Sequence, residues 1–220
     1  MPTFFLLLTI VVALLGLGIA VILVNRHLER KRTEAMRRAA KELHLRFHAQ
    51  GDECTFASLS GFHLFSQGHA KHITNLMQGE ANDMEVQIFE YQYTTGGGRS
   101  SHTSMQTVIC FRSPKLDLPE FSLRPENILH KIGSLFGYQD IDFDTHPDFS
   151  KHYLLRGTNE KAIRRRFHEE ILSFFDEHRG LCTEGRGHQL IFYRAAQQVK
   201  PKDIRYFMEE GFKVVHLFMK

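Results

Sequence analysis

The pattern of apolar and polar positions changes character near residue 25. Phe4 to Val24 is a run of 21 residues, 16 of them Leu, Ile, Val or Phe, and the first 24 residues carry no Lys, Arg, Asp or Glu. A helix of that length spans ~31 Å, close to the ~30 Å of a hydrocarbon core. Each large apolar residue favours insertion by ~0.3–0.6 kcal/mol, and no charge opposes it. A cleaved signal peptide would have a basic start, a core of ~7–15 apolar residues and a small-x-small site. Here Leu-Val-Asn-Arg follows a longer run. Residues 1–25 are therefore expected to be a transmembrane anchor, 26–43 a basic juxtamembrane helix, and 44–220 a single soluble domain.

Within that domain the first half reads mostly as strand. Met84, Val86 and Ile88 alternate with Glu85 and Gln87, and the alternation shifts at Phe89, which suggests a bulge in a half-buried strand ending near Tyr93. Gln106 to Arg112 reads as its partner, with a Gly-rich hairpin tip from Thr94 to Ser104. Gly61 to Phe65 and His72 to Gln78 look like shorter strands. Further on, Pro125 to Phe136 and Asn159 to His178 have helical spacing. Gln139 to Phe143 and His152 to Arg156 read as strands, Leu181 to Thr183 and Gln189 to Arg194 as a hairpin, and a last helix starts at Pro201, with 212–218 open to either helix or strand. The fold class predicted is α+β: one N-terminal transmembrane helix, then a single domain with a mainly antiparallel sheet and about three helices.

Charge sets the orientation. No Lys or Arg precedes the apolar run, whereas Arg26, Arg30, Lys31, Arg32, Arg37, Arg38 and Lys41 follow it. Positive flanks stay on the cytoplasmic side, so the domain is expected to be cytoplasmic, at the inner membrane of a bacterium. The same cluster is suited to contact anionic lipid. Thr9, Ala13, Gly16 and Ala20 fall on one stripe of the helix and would let two copies approach closely, making a homodimer one candidate partner besides the bilayer. The remainder of the domain is near neutral, and its Arg164-Arg165-Arg166 run is diluted by Glu169, Glu170, Asp176 and Glu177. No nucleic-acid partner is expected.

Candidate chemistry is sparse. Cys54, Cys110 and Cys182 are far apart and lack a C-x-x-C, so neither a disulfide framework nor a zinc knuckle is indicated. Cys110, between Ile109 and Phe111, reads as a buried small apolar residue. Fourteen histidines include the pairs His44/His48 and His69/His72, but H-E-x-x-H is absent. Asp140, Asp142 and Asp144 alternate along one expected strand and are the candidates for Mg²⁺ or Ca²⁺; a solvated strand face explains the same spacing. The glycine triplet 96–98 lacks the G-K-[ST] of a phosphate loop, and no G-x-S-x-G occurs. No cofactor is expected.

The segments Phe89-Glu90-Tyr91-Gln92-Tyr93-Thr94-Thr95-Gly96, Phe121-Ser122-Leu123-Arg124-Pro125-Glu126 and Asp140-Ile141-Asp142-Phe143, in that order, resemble a group of uncharacterised bacterial proteins with one N-terminal membrane helix and a C-terminal α+β domain. The resemblance covers most of the chain after residue 40 and implies a bacterial inner-membrane location. It carries no functional residue. The expected function is a membrane-tethered cytoplasmic binding or scaffolding module. The alternatives are an enzyme with an unfamiliar, metal-dependent site and a lipid-handling domain.

Overall fold

The computed structural model describes residues 2–126 and 140–219, excepting the side chains of residues 2, 3, 5–12 and 99. Among these residues, helices α1 (Pro2–Glu42), α2 (Glu53–Leu59), α3 (His63–Ser66), α4 (Pro147–His152), α5 (Glu160–Arg166), α6 (Glu169–Glu177) and α7 (Ile204–Leu217) surround one sheet. Its strands are β1 (Arg46–Gln50), β2 (His69–Ala81), β3 (Met84–Thr95), β4 (His102–Arg112), β5 (Leu118–Pro125), β6 (Tyr153–Gly157), β7 (Cys182–Gly187) and β8 (Gln189–Tyr193). They lie in the order β1-β2-β3-β4-β8-β7-β5-β6, every pair antiparallel. The α+β class and the antiparallel sheet are as expected, with six helices after α1 among the described residues rather than about three.

The sheet is covered on both faces, and β3 displays why. Met84, Val86 and Ile88 point into a first core shared with α1, α4, α5, α6 and α7; Phe89, Tyr91 and Tyr93 point into a second core under α2 and α3. The shift at Phe89 is therefore a change in which face carries the large apolar residues. It is not a bulge: β3 pairs with β4 without interruption from Glu85 to Thr95. The bulges lie in β2, at the register shifts between His69 and His72 and between Thr74 and Met77, where Ala70 and Asn75 have φ of +48° and +51°. An extra residue in one strand re-aims its side chain, and at Asn75 that side chain is brought onto Glu90 of β3.

α1 is continuous from Pro2 to Glu42. Among the described residues no helix is long and apolar enough to cross a membrane, so the spanning role expected of Phe4–Val24 rests on the sequence. The C-terminal part of α1 belongs to the domain. Arg32, Met36 and Ala40, spaced by four, form the stripe that faces the sheet, and Met36 and Ala40 are fully buried. The helix ends with Leu45 N–H bonded to Ala40 O at 2.9 Å and His44 at φ +57°, a left-handed C-terminal turn.

Several local expectations are corrected. Gly61–Phe65 is not strand: α3 forms there, through Phe62 N–H to Leu59 O (3.0 Å) and Phe65 N–H to Phe62 O (3.1 Å), and seats Leu64 and Phe65 in the second core. The helix expected over 159–178 breaks at Phe167–His168 into α5 and α6. The break lets Phe167 meet Phe121 edge-on at 5.0 Å while Phe175 meets Tyr153 at 5.5 Å. Residues 140–146 are irregular rather than strand. Residues 212–218 lie in and at the end of α7, not in a strand. Gly211 belongs in this helix because α7 crosses the sheet closely there; a Cβ would sit 3.1 Å from both Ile109 and Phe111. The helix expected over Pro125–Phe136 falls outside the described residues beyond Glu126, and Pro125 closes β5.

Candidate functional site

Two places concentrate polar chemistry, one on each face of the sheet. The first joins α1 to the sheet. Glu90 is 4 % exposed, a carboxylate among apolar neighbours, and its oxygens are fully engaged. Arg32 donates from Nε at 2.7 Å and from a terminal nitrogen as well; Asn75 Nδ2 donates at 2.5 Å and Gln198 Nε2 at 3.1 Å. Arg32 also reaches Val199 O at 2.8 Å, whose own N–H bonds Thr107 Oγ1 at 2.8 Å. Charged acceptors need this many partners to compensate lost hydration. This cluster is saturated, and its role is to hold the helix. Of the basic residues expected to meet lipid, Arg32 is thus committed to the protein interior.

The second place is unsaturated. On the opposite face, where β5, β6 and β7 run beneath the α2–α3 connection, a cavity of about 200 Å³ opens. Alternation along the strands explains its contents. Phe121 and Leu123 of β5 fill the first core, which turns Ser122 and Arg124 to the second face; likewise Leu155 of β6 turns Arg156 there. From β7, Glu184 emerges on the same side as Cys182. Gly185, the next residue, must be glycine, since a Cβ would fall 2.3 Å from the Phe121 ring.

Glu184 is 1 % exposed and organises the floor. It accepts from Leu64 N–H at 3.2 Å and from Tyr193 O–H at 2.9 Å, so it ties α3 to β8. Burial raises its pKa, an effect that Arg124 and these donors oppose. Arg124 is itself only 6 % exposed. His63 faces the cavity with its pKa lowered to about 4, first by burial and then by the positive charges of Arg124 and Arg156. Against that positive field stand several polar atoms that are buried without a hydrogen-bond partner among the described residues: His63 Nε2, Ser122 Oγ and Arg156 Nε, with both amide atoms of Gln67 close by in the chain. Buried polar groups are nearly always paired in a folded protein, so such a group of orphans requires an explanation.

The sequence-derived candidates lie elsewhere. Asp140, Asp142 and Asp144 are exposed on an irregular segment, and they do not share a strand face. Asp140 accepts the Leu155 N–H at 3.0 Å and Ile141 N–H bonds Leu155 O at 2.9 Å, so this segment seals the outer edge of β6. The residue is exposed as a whole, but partial desolvation of its carboxyl group raises the pKa of Asp140, an effect the Leu155 N–H opposes. Asp142 offers its backbone carbonyl to Arg164 at 2.7 Å. Among the described residues, no three His, Cys, Asp or Glu side chains are grouped to hold a metal. Cys110 and Cys182 are buried and pushed up to about 12 by burial, while Cys54 is exposed. Ala13, Gly16 and Ala20 are exposed on α1; the Thr9 side chain lies outside the described residues.

The residues of the cavity were not singled out by sequence reasoning. The signal available was the polar residues set into three buried strands: Ser122 and Arg124 in FSLR, Arg156 in YLLR, Glu184 in CTEG.

No known protein family matches the sequence, and no curated protein does. Among solved structures, the chain is similar to the crystal structure of the mycobacterial trehalose monomycolate transport factor A, TtfA, with a TM-score of 0.62 over 86 % of this chain and 93 % of that one. At 14 % identity, what the two chains share is the fold.

Proposed function

We propose that this chain is a membrane-tethered binding module: one N-terminal helix lies in the bilayer and the α+β domain stands on its cytoplasmic side. The observation that carries the reading is the exposure of α1. Leu14, Leu15, Leu17, Ile19, Val21, Ile22, Leu23 and Val24 are each more than half exposed and surround the whole helix. A continuous apolar surface of this kind needs an apolar environment, and the charge-free run from Phe4 to Val24 matches the thickness of a hydrocarbon core. Arg26, Arg30, Lys31, Arg37, Arg38 and Lys41 then follow, which favours a cytoplasmic domain and contact with anionic headgroups. The stripe Thr9, Ala13, Gly16 and Ala20 supports pairing of two such helices.

Protease protection tests this reading. In spheroplasts the domain is expected to resist added protease and to be cut after lysis; digestion of intact spheroplasts would overturn it. Purification of the full chain in mild detergent is expected to bring down a stoichiometric protein partner or a second copy, the latter lost in Gly16→Leu.

A lipid-handling role is the second reading. It is favoured by the fold shared with a trehalose monomycolate transport factor. Mass spectrometry of organic extracts from the purified chain separates the two: a stoichiometric bound lipid supports lipid handling, and its absence supports the protein-binding module.

A further inference from the structure

The cavity beneath the α2–α3 connection has the composition of a site awaiting a charged ligand. Two guanidinium groups, Arg124 and Arg156, act on it; the buried carboxylate of Glu184 attracts Arg124 and also holds Leu64 N–H and Tyr193 O–H, whereas Arg156, attracted by Asp140 from outside the cavity, keeps its Nε without a hydrogen-bond partner among the described residues. Glu120, which also lines the cavity, is exposed to solvent and screened by it. Three cavity-lining side chains each bury a polar atom without a partner among the described residues: Arg156 Nε, Ser122 Oγ and His63 Nε2. A chain that needed this face only for stability would gain by replacing them with apolar residues, because each orphan carries a desolvation cost of ~1–3 kcal/mol. Their presence is explained by a ligand that completes them.

We propose that this cavity binds a phosphate monoester, with Arg156 and Ser122 as the direct donors, His63 as a further hydrogen-bonding contact and Arg124 supplying charge from beneath. A guanidinium and a hydroxyl are the groups that recognise phosphate oxygens at short range. The volume of about 200 Å³ is smaller than the ~300–1,000 Å³ of sites for drug-sized ligands, so the site takes a headgroup or a small soluble phosphate rather than an acyl chain. The proposal rests on the binding-module reading of the domain but not on the tether, which protease protection tests separately.

The experiment uses the full chain in phosphatidylcholine nanodiscs and follows its thermal midpoint. Glycerol 3-phosphate, inorganic phosphate and glycerol are added in turn, and a second preparation contains phosphatidic acid. A ligand that binds the folded state alone raises the midpoint with concentration. A saturable rise with glycerol 3-phosphate, absent with glycerol, supports a soluble phosphate ligand. A rise confined to phosphatidic acid supports a lipid headgroup of the same chemistry. Arg156→Gln is expected to weaken binding by at least tenfold and Ser122→Ala by several-fold, while the ligand-free midpoints stay equal to or above that of the parent. No shift with any phosphate, an equal shift with glycerol, or full binding by both variants overturns the proposal. If Arg156→Gln fails to fold, Ser122→Ala alone decides between these outcomes.

Discussion

Arg32 and Glu90 lie 58 residues apart in the sequence and are joined side chain to side chain, Nε to Oε1 at 2.7 Å, at the point where α1 meets the sheet. From Ala13 to Lys31 the helix is exposed; from Arg32 onward it packs. The pair thus marks where the helix enters the domain. Arg32 is 26 % exposed at the side chain and Glu90 5 %, so the carboxylate is the partner that depends on the contact.

Removing one member of this pair should cost far more than removing both. Arg32→Met leaves Glu90 buried beside Asn75 and Gln198 with no charge to balance it. Breaking a buried pair in this way costs about 3 kcal/mol or more, whereas replacing both members with apolar residues of similar size is near neutral. Urea unfolding of Arg32→Met and of the Arg32→Met/Glu90→Met double variant checks this. Equal losses in both would mean that Glu90 is held by its amide donors alone.

His63 makes stability depend on pH in a defined window. Its pKa in the folded chain is lowered from 6.5 to about 4, so the unfolded chain takes up the proton first as the pH falls. Stability contributed by the neutral ring is complete above about 6.5 and is lost progressively toward about 4. His63→Gln should show a smaller fall in thermal midpoint across that interval than the parent chain. Parallel curves would show that the ring is more solvated than its position beneath the α2–α3 connection indicates.

The thiols should sort by burial. Cys110 and Cys182 are held at about 12, Cys54 is exposed, and the thiolate is the reactive form. A thiol reagent at pH 8 is expected to modify one of the three cysteines in the native chain and all three in denaturant. Rapid labelling of Cys182 in the native state would place it on the surface and open the floor of the cavity.

Gly185→Ala should destabilise the chain by about 1–3 kcal/mol, the usual cost of forcing an extra group into a packed site. The added Cβ would fall 2.3 Å from the Phe121 ring, which itself stacks on Phe218 at 5.3 Å. Denaturant unfolding measures the loss, and a small one would mean that the Phe121 ring swings aside cheaply.

What the sequence disclosed depended on whether one face or two had to be read. The apolar positions of β4 and the β7–β8 hairpin were legible because their runs are short and bounded by Gly or polar residues. β3 was legible as a strand and misread in detail, because alternation assumes one buried face and Phe89, Tyr91 and Tyr93 occupy the other. The bulges at Ala70 and Asn75 left no local signal; both are non-glycine residues at positive φ that fall where the pairing of β2 with β3 is interrupted. α5 and α6 share an unbroken helical period, so the break at Phe167 follows only from what its ring must reach. The cavity stayed hidden for a related reason. Ser122, Arg156 and Glu184 come from three strands whose adjacency, β6-β5-β7, is not the order of the chain. Each looks like a stray polar residue until the sheet is assembled.

Because α1 is one unbroken helix up to its attachment at Arg32, the number of residues between the end of the apolar run, Val24, and that attachment sets an angle as well as a distance. Each residue in a helix advances ~1.5 Å and turns ~100°. Inserting one alanine after Leu28 would therefore leave the distance of the domain from the apolar run almost unchanged and swing its cavity to another side. Inserting four would raise it by about 6 Å and return it nearly to its original heading. If α1 is held in a bilayer as proposed, the segment Asn25–Lys31 is in this sense a dial, and its length chooses which surface of the domain would meet a neighbour in that membrane.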